Sequence, residues 1–327
     1  MPVPGVHPRV EAALNLAAVW LDARRDFVGL PGVSAGVVLG DELLWSSGFG
    51  LANVEARTPA TPDTIYSICS ISKLFTAIAC MQLRDQGKLS LSDPVVRHLE
   101  WFALKETVQD QRPITIEMLL THSAGLPREA ADAPYWSPPD FKFPSRDEIV
   151  ERLSGQVTLY ESSTFWQYSN LGLSLVGEIV ATVSGQSFED YVTDHILTPL
   201  LLTDTRPYFP TSRHGGQMAI GYGAAARDGQ RPTLPPFDTE GVCAAAGFTS
   251  TVNDLAKLAI WQHRTLNGTD ATGVLARSTL KEMHRVRMPS VLCCCLEVCS
   301  RRLNTICVGW YHEWAQVHWV DPCVVRC

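Results

Sequence analysis

The chain has 327 residues, 46% of them hydrophobic and 19% charged, which suffices for a large core in one big domain or two interleaved lobes and is too apolar for a disordered chain. Twenty-seven basic residues against thirty-four acidic ones give a net charge of −7 without any Lys/Arg cluster, so nothing in the chain favours nucleic acid or an anionic membrane surface. The expected partner is a small molecule or peptide.

The first twenty residues, M-P-V-P-G-V-H-P-R-V-E-A-A-L-N-L-A-A-V-W, show no basic leader followed by an unbroken apolar stretch. No apolar run approaches the roughly 20 residues of a membrane helix. A cytoplasmic protein without a membrane partner is the expectation. Over 8–25, apolar residues at Val10, Ala13, Leu14, Ala17, Ala18 and Leu21 have the period of an amphipathic helix. Next, V-S-A-G-V-V-L, G-D and E-L-L-W-S-S-G-F-G predict two strands joined by a tight turn. Four helices are expected after that: 70–86 ending at Gly87, 115–122 ending before Gly125, 146–154 ending at Gly155, and 170–184 ending at Gly185. The stretch G-V-C-A-A-A-G-F-T-S-T-V near 240 is predicted to be extended, and a helix opened by Thr251 or Asn253 runs over 251–265.

Cysteines are distributed unevenly. Cys69, Cys80 and Cys243 stand in the first 290 residues, whereas Cys293, Cys294, Cys295, Cys299, Cys307, Cys323 and Cys327 crowd the last 35. C-C-C, two C-x3-C spacings, His312 and His318 do not make a zinc pattern, so no metal is expected. In a reducing compartment disulfides are not expected either, and the tail reads as a flexible or poorly packed segment.

The chemistry centres on C-S-I-S-K-L-F at 69–75. On a helix, Ser70 and Lys73 share a face with β-carbons about 5–6 Å apart. Ser70 lies where the helix begins, and unpaired N–H groups and the positive dipole end there favour negative charge on its oxygen. The apolar surroundings I-S-K-L-F-T-A-I-A-C-M-Q-L mark a buried helix, and desolvation lowers a lysine towards neutrality, where it can accept the proton of a serine. The alternative is a capping serine with a lysine lying over the first turn. W-Q-Y-S-N at 166–170 puts Tyr168 and Asn170 at another helix start. A phenol beside an ammonium can carry protons, and Asn170 has both donor and acceptor for a substrate amide or carbonyl. An aromatic packed under a loop and an Asn cap are the plainer reading of that triplet.

S-I-S-K at 70–73 with Y-S-N at 168–170 resembles the first two of three motifs of the penicillin-recognising serine hydrolases: class C beta-lactamases, DD-peptidases and family VIII carboxylesterases. L-L-T-H-S-A-G-L-P at 119–127, Y-S-N-L-G-L-S-L-V-G-E-I-V-A-T-V-S-G at 168–185 and G-F-T-S-T-V-N-D-L-A-K at 247–257 resemble the same family, over about residues 10–288. The resemblance implies an α/β (α+β) beta-lactamase-like fold, an antiparallel sheet flanked by helices plus a mostly helical lobe. Residues 1–288 would form one domain, with the sheet part from 1–69 and 240–288 and the helical lobe from 70–239. It also implies an acyl-enzyme mechanism, with Ser70 as nucleophile, Lys73 and Tyr168 sharing the proton transfers, Asn170 holding the substrate and no cofactor. Backbone N–H groups, one of them from Ser70, would stabilise the oxyanion.

The family's third motif, K-T-G or H-x-G on a strand near the C-terminus, is not found. C-V-G-W at 307–310 and H-E-W at 312–314 lack the Gly after His or Lys. Beyond Pro289 the resemblance stops, the chain runs several tens of residues shorter than related members, and residues 289–327 are expected to stem from a frameshift, retained non-coding sequence or a truncated gene model. The expected consequences are a weakened oxyanion hole and an open sheet edge.

The expected activity is hydrolysis of short-chain carboxylic esters, with weak or no turnover of beta-lactams. The alternatives are a catalytically impaired scaffold or binding protein of the same fold, and a beta-lactamase or DD-peptidase. G-V-S-A-G at 32–36 offers Ser34 as a rival nucleophile of the alpha/beta-hydrolase type, but that elbow must join a strand to a helix, and here the text continues as a hairpin. His122 is expected to be structural, and the aromatics around 135–136 and 165–168 either line an acyl pocket or pack in the core. Oligomeric state is not set by any feature of the sequence.

Overall fold

The computed structural model describes residues 7–105, 112–130, 135–137, 141–285 and 305–308. Helix α1 (Pro8–Phe27) forms as expected, with Pro8 at its first position. Its apolar stripe is mostly not buried, however: Leu14 reaches the core, while Leu16, Val19, Trp20 and Phe27 face solvent. The hairpin follows as β1 (Gly32–Leu39) and β2 (Glu42–Asn53), turning at Gly40, whose φ of +64° is the left-handed conformation glycine adopts without cost.

β3 (Thr58–Pro59) extends this antiparallel sheet on the β2 side, and β4 (Tyr66–Ser67) starts a second, two-stranded sheet. A 3-10 turn, Cys69–Ile71, leads directly into α2 (Ser72–Asp85). The expected helix thus exists, but Ser70 stands in a tighter turn just ahead of it. Around this helix Phe75, Ile78, Ala79, Cys80 and Leu83 are fully buried, as an apolar sequence all round the helix requires.

The helical region continues through α3 (Ile116–Leu120), α4 (Arg146–Leu153), α5 (Asn170–Ser184) and α6 (Phe188–Val192). Their starts follow from capping chemistry. Thr115, Ser145, Ser169 and Ser187 each accept a hydrogen bond from a first-turn N–H, and Ser145 with Glu148 forms a reciprocal capping box. Gly185, at φ +74°, ends α5.

The stretch near 240 departs from expectation. After a 3-10 turn, Glu240–Val242, the residues Cys243–Ala246 form a short helix α7, and only β5 (Thr249–Ser250) is extended, paired with β4. Packing explains the helix: Ala244 lies so close to Gly177 of α5 that a β-carbon on that glycine would fall 2.4 Å from the alanine methyl. Small side chains therefore let α7 approach α5 closely. Helix α8 (Val252–Asn267), capped by Thr251, packs on β1 and β2, and α9 (Arg277–Met283) packs on α8.

β6 (Thr305–Val308) completes the larger sheet in the order β3-β2-β1-β6. It runs antiparallel to β1, with Gly36 opposite Val308 and Leu39 opposite Thr305. This part of the β1 edge is covered, not open as the sequence suggests. The expectations for the rest of 289–327, including its metal, disulfide and third-motif readings, lie outside the described residues. Among those residues, no single helix is long and apolar enough to cross a membrane.

The main core gathers α2, α5, α6 and α7. Phe75 of α2 stacks on Phe248, with ring centroids 4.8 Å apart, and Phe188 of α6 meets the same ring edge-on at 6.2 Å. Phe75→Ala removes one of these fully buried rings and is expected to cost about 3–5 kcal/mol, checked by urea denaturation of the purified chain.

Candidate active site

Ser70 and Lys73 lie one turn apart, and the Lys73 Nζ is 3.2 Å from Ser70 Oγ. The backbone just before the serine is in an uncommon conformation: Cys69 has φ +43°, a left-handed region that costs a residue with a β-carbon of order 1–3 kcal/mol. The turn is held from below by Ser72, whose Oγ donates to Cys69 O and accepts from the N–H of Phe248 at 3.0 Å. Burial pushes the Cys69 thiol up to about 11, so it carries no thiolate to compete with its neighbour.

Tyr168 and Asn170 arrive from the start of α5. Ser169, between them, donates from Oγ to Pro127 O at 2.7 Å, and the Asn170 N–H donates to Arg128 O at 2.7 Å. These bonds fasten the 127–129 loop to the helix start. The Tyr168 hydroxyl comes to 2.6 Å from Ser70 Oγ, and the Asn170 Oδ1 accepts from Lys73 Nζ at 2.8 Å. All four predicted site residues therefore meet. Ser34 does not join them: it is buried in the middle of β1, donating to Thr61 O and bonded to Tyr66, with no strand-to-helix elbow.

Lys73 makes a third contact, donating to Ala245 O of α7 at 2.9 Å. An extended chain at 243–246 was expected; the helical turn found there is what aims this carbonyl. Burial brings Lys73 down from its ordinary 10.5 to about 7, with Glu129 and Cys69 acting upward and Arg128 downward. Burial also raises Tyr168, outweighing the lowering by its bond to Ser70 and by Arg128. The phenol is thus protonated at rest, and stabilisation of its phenolate, expected from the neighbouring ammonium, does not dominate.

Both faces of the phenol are covered. Lys73 Nζ is 4.7 Å from the ring centroid and the Arg128 guanidinium 5.3 Å, while His122 lies against the ring at 4.7 Å. His122, with φ +58°, accepts the Ser169 N–H on Nδ1, and burial, helped by the Lys73 charge, lowers its pKa to about 3. It is a neutral prop.

Sequence reasoning missed Glu129, Arg128 and the Ala245 carbonyl. Glu129 accepts from Asn170 Nδ2 at 2.7 Å, Trp136 Nε1 at 2.9 Å and Tyr135 OH at 2.8 Å, and pairs with Arg128 at 3.3 Å. Tyr135 and Trp136 are therefore partners of a carboxylate, while Phe165 and Trp166 stand half exposed near Tyr168. The acidic residue in L-P-R-E was the one available signal, and nothing local ties it to Asn170.

A nucleophile, an amine of lowered pKa and a phenol within hydrogen-bond reach form a set that can move one proton away from a serine hydroxyl. Residues 21–291 match the model of the Beta-lactamase family. The chain belongs to the beta-lactamase family. Its similarity to curated relatives covers less of them than of itself. It is 29% identical over 224 residues to Protein flp of Staphylococcus aureus (strain MW2), 68% of this chain and 43% of that protein. To Beta-lactamase-like protein 2 of Dictyostelium discoideum it is 33% identical over 184 residues, 55% and 33% respectively. The matches thus span less than half the length of either relative.

Solved structures of similar fold include the octameric penicillin-binding protein homologue from Pyrococcus abyssi, with a TM-score of 0.71 at 28% identity over 84% of this chain and 61% of that one. A class C beta lactamase from Rhodobacter sphaeroides follows at 0.63 and 26%, over 82% and 69%. EstCE1, a hydrolase with promiscuous acyltransferase activity, shares the fold at 0.69 with 21% identity, over 83% and 76%. The beta-lactamase family membership accords with the α+β architecture and with small antiparallel sheets flanked by helices.

Proposed function

We propose that this chain is a serine hydrolase that cleaves short-chain carboxylic esters through an acyl-enzyme on Ser70. The observation that carries the reading is the set of partners around Lys73 Nζ. Two of its three contacts, Asn170 Oδ1 and Ala245 O, are carbonyl oxygens that can only accept. A neutral amine has two hydrogens and one lone pair. With both hydrogens committed, the lone pair is left for the third neighbour, the Ser70 hydroxyl at 3.2 Å.

The reaction then runs as follows. Ser70 Oγ attacks the ester carbonyl carbon as its proton passes to the Lys73 lone pair, and the carbonyl π pair moves onto oxygen, where the Ser70 backbone N–H stabilises it. Tyr168, hydrogen-bonded to the same Oγ, gives its proton to the departing alkoxide and is reprotonated from Lys73. The C–O bond to the alcohol breaks and the acyl-enzyme remains. Water repeats the sequence in reverse order, releasing the carboxylic acid. Asn170 keeps one amide hydrogen on Glu129 and turns the other to the substrate carbonyl. An ester asks less of this set than an amide, because an alkoxide leaves more readily than an amine nitrogen.

The test is intact-mass analysis after treatment with an alkyl-phosphonate ester probe, with kinetics on nitrophenyl butyrate and nitrocefin alongside. A single adduct mapping to Ser70 and faster turnover of the butyrate are expected. No adduct on folded protein favours a scaffold, and faster nitrocefin turnover overturns the ester assignment.

A further inference from the structure

Glu129 is not among the residues assigned to the acyl transfer, yet it is the best-connected polar group at the site. Its carboxylate is largely buried and takes hydrogen bonds from Asn170, Tyr135 and Trp136 as well as the Arg128 pairing. An ionised carboxylate can only accept. The Asn170 amide must therefore turn its nitrogen to Glu129, which leaves its oxygen for Lys73. The amide orientation is dictated by the chemistry of the two neighbours.

We propose that Glu129 is a positioning residue for the acyl transfer: it locks the Asn170 amide so that the oxygen, and not the nitrogen, faces Lys73. The inference rests on the Ser70 acyl-enzyme reading. If Asn170 flipped, its N–H would donate to the lone pair of Lys73 and divert it from Ser70, so the base would be present and pointed wrongly. Glu129 also places a negative charge one amide away from the amine. The other groups facing Lys73 are Cys69 and Ser70 from its own turn, Tyr168 and Asn170 from the start of α5, Arg128 beside Glu129, His122 after α3, and the Ala245 carbonyl of α7. Of these, Glu129 is the carboxylate, and it favours the ammonium form.

The sign follows. Glu129→Gln keeps the shape but removes the charge and supplies an NH2 that allows the Asn170 flip. The Lys73 pKa falls further, so the acid limb of the Ser70 acylation rate moves to lower pH, by about one unit. The plateau rate falls about 10- to 100-fold because the base is misaimed.

The experiment follows Ser70 acylation by nitrophenyl butyrate against pH in the full chain, with melting temperatures, for wild type, Glu129→Gln, Glu129→Asp, Asn170→Ala and the double variant Glu129→Gln/Asn170→Ala. The Asp variant keeps the charge and is expected to keep the wild-type limb. Because Glu129 acts through Asn170, Glu129→Gln in the Asn170→Ala background is expected to change the plateau by less than about twofold. An unmoved limb in Glu129→Gln with only a lowered melting temperature, or the same plateau loss in both backgrounds, overturns the proposal and makes Glu129 a plain loop anchor. A wild-type chain that never acylates at Ser70 overturns the acyl-enzyme reading itself, an outcome distinct from the other two.

Discussion

Ser70→Ala is expected to reduce hydrolysis of nitrophenyl butyrate by about 10⁴-fold or more, to the level left by substrate binding and oxyanion contacts alone. The size of the effect follows from covalent catalysis: without Oγ no acyl-enzyme forms, and water has no prepared position in its place. The fold is expected to survive. The α2 core below the turn is carried by Phe75, Ile78 and Leu83, and the strained turn at Cys69 is tied by Ser72, neither of which involves the Ser70 hydroxyl. A chain that kept its melting temperature and its esterase activity in this variant would remove Ser70 from the chemistry.

Lys73→Met is the second large effect, with opposite consequences for rate and stability. Removing the general base is expected to slow acylation by about 10²- to 10⁴-fold. Stability is expected to rise. Lys73 binds its proton with a pKa near 10.5 in the unfolded chain and about 7 in the folded one, so the unfolded state holds more protons between those values. The lysine's cost to folding is absent above about 10.5 and grows as the pH falls towards 7, below which it stays at its full size. Methionine of similar length carries no such cost, so at neutral pH the variant melts higher than wild type, and the gap closes in alkali. Thermal denaturation over that range checks the sign. A site that holds a destabilising amine for its reactivity is a familiar exchange of stability for activity.

Parts of this arrangement were legible in the sequence for identifiable reasons. Gly87 and Gly185 marked helix ends because both take positive φ, +71° and +74°, as a chain leaving a helix often requires. The Ser70–Lys73 pairing is a local spacing, readable from four residues, and it held although Ser70 sits in a 3-10 turn ahead of the α-helix. Tyr168 and Asn170 lie almost a hundred residues away, and their relevance came through resemblance to a family and not from any local pattern. The run C-A-A-A-G was misread because alanine has no strong face and small residues suit strands and close-packed helices alike; its neighbour Gly177 in α5 decides the matter. Glu129 was opaque for the same reason as Tyr168: its partners Asn170, Tyr135 and Trp136 are gathered by a loop whose course no periodicity reports. On α1 the period correctly announced a helix, but period alone does not say how much of the apolar stripe is covered.

The Lys73 titration probes the whole scheme most directly. Single-turnover acylation of Ser70 by nitrophenyl butyrate, followed from about pH 5 to pH 10, reports the state of the amine through its rate. A rise through a midpoint near 7, absent in Lys73→Met, is the result expected of a buried neutral amine whose lone pair faces the serine. A rate that is flat through neutrality and climbs only near the ordinary lysine value of 10.5 would mean that the amine stays charged, and would contradict it.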